Sequence, residues 1–233
     1  MIEGIQVIGF DADDTLWVNE AYFLETEREW RRLLAPYAGE ETASAELYRT
    51  EMQNMPLYGY GVKAYMLSLL ETAVRITEGK APAQVFEHII RLGKEQLSRP
   101  VELFDGVEET LGALAGRYRL ILVTKGDLLD QEQKLYRSGL EHFFHHVEIM
   151  SDKTERAYNQ LLKHIDIRPE EFLMIGNSIR SDILPPLALG CYAIHVPSLA
   201  VWEHEKVDAP LAHPHSYTVG SLKEIIPLLT GED

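Results

Sequence analysis

From Pro100 onward the chain alternates between short apolar runs and segments of helical periodicity, and this alternation restricts the fold more than any other feature. A helix over Val107 to Gly116 leads to the run Leu120-Ile121-Leu122-Val123, and a helix over Asp130 to Ser138 leads to His146-Val147-Glu148-Ile149. A helix over Glu155 to Ile165 then leads to Phe172-Leu173-Met174-Ile175, and Leu184 to Leu189 leads to Tyr192-Ala193-Ile194-His195-Val196. Short, partly β-branched runs of this kind, each preceded by a helix, predict parallel strands buried on both faces. The implied class is α/β, a doubly wound parallel sheet covered by helices on both sides. One further strand belongs to it, since Ile5-Gln6-Val7-Ile8-Gly9-Phe10 reads as a buried strand that stops abruptly at Asp11-Ala12-Asp13-Asp14.

Between that first strand and the rest, the character changes. From residue 19 to residue 99 helical periodicity dominates, as in Met66, Leu69, Leu70 and Ala73 on one face, and candidate strands are scarce. About four helices are expected there, with turns near Gly39, at Gly59-Tyr60-Gly61 and at Gly79-Lys80-Ala81-Pro82. The expected organisation is an α/β core of residues 1–18 and 100–233 and a helical insertion of residues 19–99. Internal repeats and low-complexity segments are absent from the sequence, and only the tail Gly231-Glu232-Asp233 reads as loose.

The formal net charge of −15 argues against a nucleic-acid polymer or an anionic membrane surface as partner, because both require a basic face. A small anionic substrate remains compatible, since a lysine or a metal ion can make one site locally positive. The single cysteine, Cys191, sits in an apolar stretch and reads as a small buried hydrophobe in a reducing compartment. Met1-Ile2-Glu3-Gly4 shows no secretory pattern, and no apolar run approaches the ~18 residues of a membrane helix, so a soluble cytoplasmic protein is expected.

Polar residues follow the apolar runs in a consistent way. Asp11, Asp13 and Thr15 follow the first strand, Thr124-Lys125-Gly126 the second, Lys153 the third, and Gly176-Asn177-Ser178 with Asp182 the fourth. Ligands of an open parallel sheet bind outside the carboxyl ends of its strands, so these four groups are expected to converge. Carboxylates gathered at one point repel one another unless a cation lies among them. Hard oxygen ligands without a histidine or cysteine cluster indicate Mg²⁺.

Asp11-Ala12-Asp13-Asp14-Thr15-Leu16 resembles the first motif, D-x-D-x-[T/V]-[L/V], of the haloacid dehalogenase-like superfamily. Thr124 is similar to the Ser/Thr of its second motif, Lys153 to the lysine of its third, and Asp182 to the second acidic residue of its fourth. The order spans nearly the whole chain, and the helical stretch is similar to the family's cap, inserted after the first motif. The resemblance implies a Rossmann-like core and a phosphatase that works through an aspartyl-phosphate. Asp11 would attack phosphorus, and Asp13 would protonate the leaving oxygen and then deprotonate water, which requires a raised pKa. Asp11, the Asp13 carbonyl and Asp182 would hold the metal. Lys153, the Thr124 hydroxyl and the Lys125 amide would gather the phosphoryl charge. One departure is Asn177, where the family commonly has an aspartate; asparagine can coordinate weakly or hold a metal-bound water but brings no charge.

Plainer roles compete at several positions. Asp11 and Asp13 suit a turn, Asp182 suits an exposed first helical turn, and Asn177-Ser178 suits a helix N-cap. Asp14, Asp127 and Arg180 read as solvated, and Trp17 either lines the entrance or packs. His142, His145 and His146 read as structural or exposed. In the insertion, Tyr58-Gly59-Tyr60-Gly61-Val62-Lys63 either offers Tyr60 and Lys63 to a substrate or forms a helix–helix turn. A haloacid dehalogenase, a phosphomutase and a phospho-accepting receiver module are the rival functions. Asp13 favours phosphoryl transfer over dehalogenation, and the long insertion disfavours a receiver. The expected substrate is a small phosphate ester, with a nucleoside monophosphate preferred because aromatics can stack on a base.

Overall fold

The computed structural model describes residues 2–207 and 212–231. Met1 and the tail residues 232–233, on which two of the sequence readings partly rest, lie outside the described residues. In chain order the strands are β1 (Val7–Phe10), β2 (Arg119–Lys125), β3 (His146–Met150), β4 (Phe172–Gly176), β5 (Tyr192–His195) and β6 (Ser216–Thr218). The α-helices are α1 (Glu20–Leu34), α2 (Glu40–Tyr58), α3 (Val62–Thr77), α4 (Ala83–Leu97), α5 (Val107–Ala115), α6 (Leu128–Ser138), α7 (Glu155–His164), α8 (Leu184–Ala188) and α9 (Ile225–Thr230). None of them is long and apolar enough to cross a membrane.

The six strands form one parallel sheet in the order β3-β2-β1-β4-β5-β6. Phe10 at the end of β1 lies opposite Leu122 of β2 and Ile175 of β4, so the carboxyl ends of the three central strands are nearly in step. From β1 the order runs outward both ways, to β2 and β3 on one side and to β4, β5 and β6 on the other. A reversal of this kind opens a crevice beyond the carboxyl ends of the strands.

Successive strand residues feed opposite faces of the sheet. Ile8, Phe10, Leu120, Leu122, Leu173 and Ile175 join one apolar layer, which α5 and α9 complete with Leu111, Leu114, Ile225 and Leu229. Val7, Ile121, Val123, Phe172 and Met174 join the other, completed by Tyr158, Leu161 and Leu162 of α7. Burial on both faces explains why the strands are unbroken apolar runs rather than alternating ones. Cys191 is buried in the second layer, and burial pushes its thiol up to about 12, which keeps it neutral. Two elements have no counterpart in the sequence reading. β6 is only three residues long and polar at both ends, and α9 carries Pro227.

Two compact units divide the chain. The sheet unit contains Met1–Glu20, Val101–Lys125 and Glu132–Asp233, and the helical unit contains Ala21–Pro100 with Gly126–Gln131. Within the helical unit, α1 to α4 bury Trp30, Leu34, Leu47, Leu69, Ala73 and Ile89 against one another, and the Trp30 indole donates to the Leu69 carbonyl at 3.2 Å. The short piece Gly126–Gln131 packs on the turn between α2 and α3. A Cβ on Gly61, whose φ is +108°, would lie 3.0 Å from the Asp127 amide nitrogen. The glycines of Gly59-Tyr60-Gly61 therefore serve a helix–helix turn with a close backbone neighbour.

Candidate active site

The carboxyl end of β1 delivers Asp11 into a buried ionic cluster. The Lys153 ammonium lies 2.5 Å from Asp11 Oδ1 and 2.6 Å from Asp182 Oδ1. Lys153 reaches this point because β3 ends at Met150 and α7 begins at Glu155, capped by Thr154, whose hydroxyl accepts from the Ala157 amide at 3.2 Å. Asp182 arrives on a π-helical turn, Ile179–Ile183, started by the Ser178 hydroxyl accepting from the Ser181 amide at 3.0 Å. Its approach requires glycine at the end of β4, since a Cβ on Gly176 would lie 2.4 Å from Asp182 Cγ. The Ser178 amide donates to Asp182 Oδ2 at 3.0 Å. The Thr15 hydroxyl donates to Asp11 Oδ2 at 2.9 Å and accepts from the Asn177 amide at 3.0 Å, which ties the loops after β1 and β4 together.

Burial is the largest influence on Asp11 and pushes its carboxyl up to about 7, with Lys153 opposing and Asp182 adding to the rise. Burial also works against the Lys153 charge, but the two carboxylates outweigh it and raise the ammonium's pKa. Asp182 is buried, which removes the reading of an exposed helical turn. Two buried carboxylates share one ammonium, so the cluster carries a residual negative charge in a place where charge is expensive. A divalent cation answers that deficit, and the nearby donors are hard oxygens. Asp11, Asp182 and the Asn177 amide oxygen, 3.4 Å from the Thr15 hydroxyl, are of a kind that fits Mg²⁺.

Asp13 occupies a different environment. Its Oδ1 accepts from the Trp17 indole at 2.7 Å and from Lys134 at 2.8 Å, and its Oδ2 lies 3.1 Å from the same ammonium. The side chain that the sequence reading makes the proton carrier is thus held by two donors, one of them an ammonium. Trp17 is buried and holds Asp13 rather than lining an entrance. Lys134, on α6, was not legible as a functional residue, because Gln131-Glu132-Gln133-Lys134 looks like any polar helical stretch.

Thr124 is buried at the end of β2. The neighbouring Lys125 directs its ammonium to Glu205 and to the Ser181 hydroxyl, the latter at 2.9 Å. Glu205 also accepts from the Ser178 hydroxyl and, at 2.7 Å, from the Ser181 hydroxyl. Burial opposes its charge, but Lys125 and the two hydroxyls hold Glu205 down to about 2. A residue absent from the motif pattern thus joins the end of β2 to the turn that carries Asp182. His195, at the end of β5, meets the Asn177 carbonyl at 3.0 Å, and burial lowers its pKa, which favours the neutral ring.

Two positions differ from the sequence reading. Asp14 is not simply solvated. It has a φ of +62°, accepts from the Asn19 and Glu20 amides at 3.0 and 2.9 Å, and starts α1, while burial pushes it up to about 6. Asp127 accepts from the Asp130 amide at 3.1 Å and from the Lys63 ammonium at 2.8 Å, both within the helical unit, and the Lys63 bond lowers its pKa. The charge of Lys63 is thus already answered. Gly126 has a φ of +143°, which suits glycine at the turn into α6, and a Cβ there would lie 2.9 Å from the side-chain Nε2 of Gln131. Tyr60 is half-buried in the α2–α3 turn. Arg180 is exposed, and its guanidinium donates to the His204 carbonyl at 3.2 Å.

Comparison with known proteins identifies the family of the chain. A family model described as haloacid dehalogenase-like hydrolase matches residues 5–190. The glyceraldehyde 3-phosphate phosphatase of Methanopyrus kandleri is 26% identical over 186 residues, covering 77% of this chain and 78% of its own. The N-acylneuraminate-9-phosphatase of Mus musculus is 27% identical over 172 residues, covering 70% and 66%. The crystal structure of a haloacid dehalogenase-like family hydrolase from Xanthomonas campestris superposes with a TM-score of 0.88 at 36% identity, covering 98% of this chain and 91% of that one. The L-2-haloacid dehalogenase of Xanthobacter autotrophicus, at 15% identity and a TM-score of 0.67, shares the fold. The chain belongs to the haloacid dehalogenase-like hydrolase family.

Proposed function

We propose that the protein is a Mg²⁺-dependent phosphoric monoester hydrolase that acts on a small phosphorylated metabolite through an aspartyl-phosphate on Asp11. The observation that carries this reading is the Asp11 carboxylate held between Lys153 and Thr15, with Asp182 on the other side of the same ammonium. An Asp11 oxygen attacks phosphorus, the bond to the leaving oxygen breaks, and that oxygen takes a proton from Asp13. Water then attacks phosphorus, its proton passes to Asp13, and the Asp11 carboxylate is released with inorganic phosphate. The Lys134 and Trp17 contacts suit the carboxylate state in which Asp13 receives that proton, and the proton so gained serves the next substrate. Thr124, the Lys125 amide and Lys153 surround the phosphoryl oxygens. Mg²⁺ held by Asp11, Asp182, the Asp13 carbonyl and Asn177 supplies the remaining positive charge.

Residues 1–18 and 100–233 carry this chemistry in our reading, and the helical insertion of residues 19–99 selects the leaving group. The two phosphatase relatives are named for glyceraldehyde 3-phosphate and N-acylneuraminate 9-phosphate, which supports a phosphorylated sugar or sugar acid. The sequence prefers a nucleoside monophosphate because aromatics can stack on a base; the lysine of the same segment, Lys63, pairs with Asp127. The deciding experiment measures phosphate release from sugar phosphates, phospho-acids and nucleoside monophosphates, with and without chelator. Release that requires Mg²⁺ and is fastest on sugar phosphates is the expected result. Full activity in excess chelator, or halide release from a 2-haloacid without any phosphate release, would overturn the reading.

A further inference from the structure

A second group of metal-ligating side chains lies on the sheet unit apart from Asp11 and Asp182. His146 and Glu148 are two residues apart on β3 and therefore project from the same face of this edge strand. His164 is the last residue of α7. One ligand atom from each of the three lies within 4.8 Å of both others. His146 Nε2 is 3.0 Å from Glu148 Oε2, and the His146 and His164 rings are 5.4 Å apart, edge to face.

We infer that His146, Glu148 and His164 form a binding site for a borderline divalent cation, Zn²⁺ foremost. Two imidazole nitrogens and one carboxylate oxygen are the donors such ions take, whereas Mg²⁺ prefers oxygen alone. Bonds of about 2.1 Å place the ligands of a tetrahedral ion about 3.4 Å apart. The His146–Glu148 pair is already close to that separation. His164, which is exposed, closes the rest by a small side-chain rotation. The carboxylate offsets part of the ion's charge, and the carbonyl end of α7 favours a cation beside His164. Three side chains leave the fourth position of a tetrahedral ion to solvent or a small ligand. The bound ion fastens the end of α7 to the edge of the sheet, on the helix that begins directly after Lys153 and Thr154.

The site is tested on the whole protein, stripped of metal and dialysed against excess Mg²⁺ so that Mg²⁺-binding oxygens are filled. Calorimetric titration should show one Zn²⁺ per chain. His164→Ala and Glu148→Gln should each weaken binding by at least about tenfold, a loss that removal of even an outer partner of a metal ligand can bring. His164 is exposed, so His164→Ala is expected to fold, and it decides the matter should His146→Ala fail to. Zn²⁺ should raise the melting temperature of the wild type and not of His164→Ala. Binding should persist when Asp11 and Asp182 are both changed to Asn. Zn²⁺ affinity unaltered in His164→Ala and Glu148→Gln, Zn²⁺ binding lost with Asp11 and Asp182, or no Zn²⁺ binding at all would each overturn the proposal.

Discussion

Glu205→Gln isolates the contribution of one carboxylate to the framework behind the active site. The side chain is 11% exposed and its partner Lys125 17%, so water screens the pair only in part. Glutamine keeps the shape and one acceptor oxygen but removes the charge. Holding Glu205 down from 4.5 to about 2 corresponds to about 3 kcal/mol of preference for the ionised form in the folded chain. Residual exposure trims this to about 2 kcal/mol. Because the folded pKa is depressed, this stability is fully present above about pH 4.5 and is lost as the pH falls towards about 2. Urea unfolding followed by circular dichroism, at neutral pH and at steps into the acid range, measures both quantities. The variant should unfold about 2 kcal/mol more easily at neutral pH, and the gap should close in acid. A difference below about 0.5 kcal/mol, or one that stays constant with pH, would refute the assignment of Glu205 as a brace.

Three further outcomes follow from the site. Asp11→Asn should lower phosphate release by about 10³-fold or more with an unchanged circular dichroism spectrum, as expected for a lost nucleophile. Lys134→Met should lower kcat by about tenfold with little change in KM, because it loosens the group that moves the proton rather than the groups that hold phosphate; steady-state kinetics on the preferred substrate checks this. Lys63→Ala and Asp127→Ala should each cost less than about 1 kcal/mol in urea unfolding, since the pair is part-exposed. Both should leave KM alone, and a KM rise in Lys63→Ala only would show that Lys63 holds substrate.

The sheet was legible because β1, β2 and β4 are buried on both faces, which writes them into the sequence as unbroken apolar runs. β6 escaped notice because a three-residue edge strand needs no apolar face of its own. Asp11, Lys153 and Asp182 were legible because parallel topology forces every residue just past a strand towards one edge. Glu205, Lys134 and Trp17 act through side chains that reach the site from a short 3-10 helix, an α-helix and a turn, and no local pattern records such a reach. Gly176 lies between these cases. A glycine before Asn177 looks like ordinary loop chemistry until the position of Asp182 shows that any side chain there would collide with it.

The lysines around the site bear on how a chain of net charge −15 can receive a phosphate dianion. Lys153 is held by Asp11 and Asp182, Lys125 by Glu205 and Lys134 by Asp13, so the set contains one more carboxylate than ammonium. Each of these ammonium charges is already matched by a carboxylate before an anion arrives. They hold these carboxylates in place where a buried charge without a partner is costly. The charge that draws the phosphate must then come from elsewhere, and the hard-oxygen donors beside Lys153 are where a divalent cation can supply it. The charges and burial of the site favour a bound cation on their own. They also bear on the two chemistries open to the fold, because attack on a carbon–halogen bond brings no phosphate dianion whose charge must be met.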